Sequence, residues 1–96
     1  MATFRIAQVE EEGVKLLLVP LERKFGTLTD AQRAQFVARL QACAQSARLE
    51  GTVIPVWEDS NRAQFIAPQK WHGLVRKYSL LKIYASISGE LECTNN

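Results

Sequence analysis

Trp57, Glu58, Asp59, Asn61, Arg62, Gln69, Lys70, Trp71 and His72 fall within a stretch of 16 residues. That stretch holds both tryptophans and the only histidine of the chain. A free imidazole titrates near ~6.5, so His72 is the natural acid or base at neutral pH. Oriented by a carboxylate from Glu58 or Asp59, it would be the one weak candidate for a catalytic group. Two indole rings with a few convergent polar groups would instead line a small-ligand pocket. Trp57, Glu58, Arg62, Trp71 and His72 are the ligand-binding residues expected on that reading. A plainer chemistry competes with both. Indole rings bury large apolar areas and anchor cores and interfaces, and a histidine near a helix start can serve as a structural hydrogen-bonding group.

Other chemistries find little material. Gly13, Gly26, Gly51, Gly73 and Gly89 are isolated, so no glycine-rich phosphate loop exists. Cys43 and Cys93 stand 50 residues apart and are not a paired metal-binding motif. With one histidine beside them, no metal and no cofactor are expected. A serine, His72 and Asp59 can be assembled into a triad on paper, from Ser60 or Ser79, as in any chain with one histidine.

The segments Gly51-Thr-Val-Ile-Pro-Val-Trp57 and Phe65-Ile-Ala-Pro-Gln-Lys-Trp-His72, with Phe25-Gly-Thr-Leu28 before them, carry a resemblance. Together they resemble a group of small bacterial proteins carried as cargo in mobile integron gene cassettes. That family comes without an established activity, so the resemblance supplies no catalytic residues. It implies a bacterial, cytoplasmic, accessory protein and an unusual small fold.

The elements that must position these residues follow from periodicity. Residues 3–9 alternate, with Phe4 and Ile6 on one side and Arg5 and Ala7 on the other, as a half-buried strand does. A turn at 10–13 leads into the apolar run 14–19, which reads as a central strand ended by Pro20. Phe25 is the large apolar residue of the connection 21–28 and is expected to tuck under the sheet or close a pocket. A helix is expected over 30–49. Thr29 and Gln32 form a capping box, Gly51 waits past the end, and Phe36, Leu40, Cys43 and Ala47 make an apolar stripe. Gln35, Arg39, Gln41, Gln45 and Arg48 form its solvated face. Strands over 52–58 and 63–67 make a second hairpin about the polar turn 59–62, with Pro55 pulling the first of them toward an edge.

Beyond Pro68, residues 69–77 read as helical. From Ser79 the spacing of Leu80, Tyr84, Ile87 and Leu91 predicts a helix over 79–91, against a rival strand in which Leu81, Ile83, Ala85 and Ile87 alternate. Residues 94–96 are expected to fray. The expected fold is a single α+β domain over 1–96. It has two layers: a mainly antiparallel sheet of about four strands, from two hairpins, packed against one long helix, with a helical C-terminal segment.

Charge and composition bound the partners. Twelve basic and ten acidic residues leave a net charge of +2, too balanced to predict nucleic-acid binding. No run approaches the ~18 apolar residues of a membrane span. No basic segment and apolar run open the chain, so a cytoplasmic protein with reduced thiols, and no disulfide, is expected. Apolar residues make up 47% of the chain, more than one small core needs. Leu80, Leu81, Ile83, Tyr84 and Ile87 are therefore the expected interface of a homo-oligomer. The resulting expectation is an accessory module binding a protein or small molecule. A small enzyme built on His72 is the first alternative. A weak nucleic-acid binder using Arg23, Lys24, Arg76, Lys77 and Lys82 is the second.

Overall fold

The computed structural model describes residues 2–93; residues 94–96, where fraying is expected, lie outside the described residues. The chain is α+β, with a five-stranded mixed sheet, one long helix and short helices. The strands are β1 (Ala2–Glu11), β2 (Val14–Pro20), β3 (Thr52–Asp59), β4 (Arg62–Phe65) and β5 (Gly89–Cys93), in the order β4-β3-β2-β1-β5. The helices are α1 (Asp30–Ser46), α2 (His72–Val75) and α3 (Leu80–Ala85). A 3₁₀ turn over Arg23–Thr27 leads from β2 into α1. No helix among the described residues is long and apolar enough to cross a membrane.

Both hairpins form, each about a two-residue loop with positive φ at both positions: Glu12 and Gly13 (50° and 79°), then Ser60 and Asn61 (52° and 62°). Loops of this kind match the right-handed twist of the flanking strands. The hairpins join through β2 and β3, which run parallel with α1 as the crossover. The sheet is thus mixed, with five strands, where about four mainly antiparallel ones are expected from sequence.

A third layer is the second correction. Leu16, Leu17, Leu18 and Val19 are all buried because β2 is covered on both faces. Leu17 and Val19 face α1 and pack with Ile6, Leu40, Ala44, Val53 and Leu91. Leu16 and Leu18 face the other way and pack with Ala7, Ile54, Val56, Val75, Tyr78 and Ile83. The short helices α2 and α3 are therefore a layer of their own, not an edge attachment. The helix expected over 79–91 stops at Ala85, and β5 follows on β1. Gly89 and the serines at 86 and 88 do not sustain a helix, whereas Leu91 and Cys93, two apart, bury one side of a strand.

Pro55 sits one strand in from the edge. Its carbonyl accepts from the Ile66 N–H, so its missing amide faces the β4 side at a point that the four residues of β4 do not reach. A proline there leaves only the reciprocal bond to the Ile66 carbonyl unmade, so the β3–β4 ladder ends at Phe65.

The start of α1 is as the sequence indicates. Thr29 Oγ1 accepts from the Gln32 N–H, and the Thr29 N–H donates to Gln32 Oε1. Its end comes earlier than 49. The Leu49 N–H donates to the Ala44 carbonyl and the Arg48 N–H to the Gln45 carbonyl, with Arg48 at φ 60°. This is a Schellman stop with arginine in the left-handed position that usually takes glycine. It leaves Ala47 exposed, off the apolar stripe. Gly51 serves the sheet instead. At φ 127°, a Cβ there would lie 3.1 Å from the Lys15 carbonyl, so its absence lets β3 close on β2. Arg48→Gly is expected to raise the unfolding free energy by about 0.5–1 kcal/mol by removing the left-handed penalty. A higher urea midpoint at unchanged m-value checks it.

Gln41, expected on the solvated face, instead fastens α1 to the sheet. Its Nε2 donates to the Gly51 carbonyl (3.1 Å) and its Oε1 accepts from the Val53 N–H (2.8 Å). The two cysteines, expected to be reduced, are joined as a disulfide between α1 and β5, with Cα atoms 5.5 Å apart. Sequence spacing carries no sign of this, because the two residues meet only once β5 pairs with β1.

Candidate functional site

The most developed site lies where β2 and β3 end and α1 begins. Crevices at the carboxyl ends of parallel strands are the usual ligand positions of α/β units. Pro20 ends β2, and the Leu21 N–H still donates to the Val56 carbonyl (2.8 Å), which holds the 3₁₀ turn against β3. Gly26 lets that turn lie on the indole of Trp57: a Cβ there would come within 2.7 Å of Trp57 Nε1. Trp57 meets Phe25 edge-on at 5.0 Å between ring centres, Phe25 meets Phe36 at 5.4 Å, and Phe36 meets Phe4 at 5.7 Å. This aromatic row joins β1, α1, the turn and β3. Phe25 is buried within it.

Two hollows flank the row. One, of about 320 Å³, is mainly apolar and is lined by Leu21, Phe25, Leu28 and Phe36 together with Glu22, Lys24 and Thr27. The other, of about 490 Å³, is mixed and is lined by Gly26, Asp30, Arg33, Trp57, Asp59, Gln64 and Ile66 among others. In the mixed cleft the Arg33 guanidinium stands 5.9 Å from the Trp57 ring centre. Its Nη1 donates to the Gly26 carbonyl (3.0 Å), and its Nη2 pairs with Asp30 one turn earlier. Two carboxylates and one guanidinium leave the cleft with a net negative lining.

Of the residues singled out in sequence, Trp57, 6% exposed, and Asp59 line this cleft. Glu58 turns away and pairs with Arg23 at 2.7 Å. Arg62 is exposed beside the β3–β4 turn. Trp71 and His72 belong to the opposite layer. Trp71 packs on the cluster around Leu16 and Leu18, with the Lys70 ammonium 5.0 Å from its ring centre. The His72 Nε2–H donates to the Ala67 carbonyl (2.9 Å), and its ring meets Phe65 edge-on. The two tryptophans thus sit on opposite faces of the sheet. No hydrogen bond among the described residues joins His72 to Glu58 or Asp59.

Asp30, Arg33 and Gln64 are cleft residues that sequence patterns do not single out. The i,i+3 spacing of Asp30 and Arg33 is visible in the chain, but such pairs are common on helix surfaces. Of the expected interface, Leu81 is 82% exposed and Tyr84 45%. Leu80 and Ile87 are partly buried, and Ile83 is wholly inside the domain, so it offers no surface. No group of three or more His, Cys, Asp or Glu among the described residues is placed to hold a metal ion.

One polar cluster lies outside the cleft. The Tyr78 hydroxyl donates to Glu11 Oε1 (2.6 Å), with Lys77 3.6 Å from the other carboxylate oxygen. That hydrogen bond, ahead of burial, pushes the Tyr78 phenol up to about 12. The same bond, outweighing the opposing loss of hydration, and then the Lys77 charge hold the Glu11 carboxyl below its usual range. Two signs follow. The depressed carboxyl contributes stability that is present above its unfolded value and lost as pH falls through the folded one. The raised phenol contributes stability that is present below its unfolded value of about 10 and lost as pH rises toward about 12. Tyr78→Phe is expected to flatten the stability–pH curve on both flanks, measured by urea midpoints across pH. Curves of unchanged shape would exclude the coupling.

Compared with family models, with curated proteins and with solved structures, the chain matches none.

Proposed function

We propose that this chain is a non-enzymatic binding module, and that its ligand sits in the mixed cleft at the carboxyl ends of β2 and β3. The observation that carries the reading is the cleft's composition. A guanidinium fixed over Trp57, the apolar Ile66 and Ala34, and the carboxylates of Asp30 and Asp59 line about 490 Å³, within the size of small-molecule sites. The negative lining favours a ligand with a flat apolar body and a cationic end. His72 is engaged by a backbone carbonyl on the other face, which leaves the enzymatic reading without an acid–base pair. The resemblance to cassette-borne proteins fits an accessory role in a bacterium. The disulfide favours an oxidising compartment over the cytoplasm.

Tryptamine and indole-3-acetate carry opposite charges on one ring system and make the test. Tryptamine is expected to shift the amide resonances of Gly26, Arg33, Gln64 and Ile66 with a Kd of about 1 mM, at roughly 0.3 kcal/mol for each of its heavy atoms. Indole-3-acetate is expected to leave them in place. Shifts confined to residues 70–72, or none, would reject the site.

A second reading adds self-association through α3. Leu81 and Tyr84 are the large apolar side chains it exposes, beside the Arg5 guanidinium 5.4 Å from the Tyr84 ring centre. Sedimentation showing the same monomer for the native chain and for Leu81→Asp at high concentration would remove it.

A further inference from the structure

We propose that the Cys43–Cys93 disulfide is a thiol-responsive latch on β5, and that opening it lets two copies of this chain exchange that strand.

Among the described residues β5 is an edge strand paired with β1 alone, from Ala2↔Cys93 to Ile6↔Gly89. Leu91 and Cys93 are its two fully buried side chains, while Glu90 and Glu92 are exposed. Three residues, 86–88, carry the chain from α3 into the strand. They are held at its start by Ser88, whose N–H donates to the Ile6 carbonyl (2.9 Å) and whose Oγ accepts from the Gln8 N–H (3.0 Å). The covalent tie to α1 sits at the far end, on Cys93. β2, by contrast, has a strand on each side and four consecutive buried residues. β5 is thus a candidate for local opening once the covalent tie is gone.

The tie is open to attack from one side. Cys93 is 2% exposed, whereas Cys43 lines a broad depression of about 670 Å³ together with Arg39, Ser46, Glu90 and Glu92. A thiolate of a small dithiol therefore meets the Cys43 sulfur first. A new S–S bond forms there as the protein S–S bond breaks. Cys93 leaves with the electron pair and takes up a proton. The second thiol of the dithiol then displaces Cys43 from the mixed disulfide. The dithiol ends as its cyclic disulfide and the protein as two thiols.

Once β5 detaches, β1 presents an unpaired edge over residues 2–6, the kind of edge that recruits another strand. The β5 of a second copy fits it in the same register, because it is the same sequence. Exchange through a short hinge builds a two-fold dimer in which each α1 lies beside the other copy's β5. A small-molecule disulfide such as oxidised glutathione then reoxidises the pairs: each Cys43–Cys93 bond forms between the two copies as one molecule of the oxidant is reduced to two thiols, and this happens twice.

The experiment uses the full chain. It is reduced with dithiothreitol at high concentration, freed of the dithiol and reoxidised with oxidised glutathione, then resolved on a non-reducing gel with the linkages mapped by mass spectrometry. Covalent dimers containing Cys43–Cys93 bonds are expected, with monomer returning when reoxidation follows dilution. Monomer alone at high concentration, or a mixture of 43–43, 93–93 and 43–93 linkages, overturns the proposal. Hydrogen exchange supplies the second readout. On reduction the β5 amides are expected to accelerate at least ~10-fold more than those of β2 and β3, as a local opening requires. Equal acceleration of all three strands means that the bond constrains the chain only as a whole, and it overturns the latch even if the protein has unfolded.

Discussion

Replacing both cysteines with alanine is expected to lower the unfolding free energy by about 4 kcal/mol. The bond closes a loop between residues 50 apart, and the chain-entropy relation gives about 4 kcal/mol for a loop of that length. The Cα separation of 5.5 Å lies in the ordinary range for a disulfide, so the native fold accommodates the link. Domains of this size carry only ~5–15 kcal/mol in total. The loss would therefore lower the melting temperature by about 15–30 °C, at ~4–8 °C per kcal/mol. Urea unfolding of the native chain, the reduced chain and the double alanine variant makes the comparison. Agreement between the last two separates the effect of the bond from that of the lost sulfur atoms. A loss under about 1 kcal/mol would show that the link does not constrain the unfolded chain as its loop length requires.

The elements that sequence announces most clearly are those whose ends are chemical. α1 begins at Asp30 because Thr29 and Gln32 satisfy each other's backbone partners, and both residues are plain in the chain. The hairpins follow from Gly13 and from the polar pair Ser60-Asn61, which take the left-handed conformation their loops need. The end of α1 is not legible, because Arg48 is a poor left-handed residue and only the Leu49-to-Ala44 hydrogen bond reveals its place. β5 is masked by an apolar spacing, Leu80 to Leu91, that suits a helix until Gly89 interrupts it. The candidate site is displaced from its expected position for a related reason. Trp57 and Trp71 are near in sequence, but alternation along β3 turns Trp57 toward α1. The chain after β4 then crosses to the other face before Trp71 packs there. Arg33 and Asp30 gain their meaning only because Gly26 brings the 3₁₀ turn onto the indole.

The third layer has its own decisive test in two neighbouring residues of α3. Ile83 is fully enclosed with Leu16, Leu18, Ile54 and Val75, whereas Leu81, two positions earlier, is 82% exposed. Truncating an enclosed isoleucine removes its transfer free energy and leaves a cavity, so Ile83→Ala is expected to cost about 2–5 kcal/mol. Leu81→Ala, on the surface, is expected to stay within ~0.5 kcal/mol of the native chain. The contrast discriminates between architectures. In a two-layer domain whose C-terminal segment only meets a second copy, both substitutions would weaken assembly and leave the unfolding of the isolated domain nearly unchanged. In the three-layer domain the Ile83 loss appears at every protein concentration, since its partners are in the same chain. Urea midpoints measured over a wide range of concentration decide the matter. An Ile83→Ala defect that disappears on dilution would place that side chain in an intermolecular contact and undo the assignment of α3 to the core.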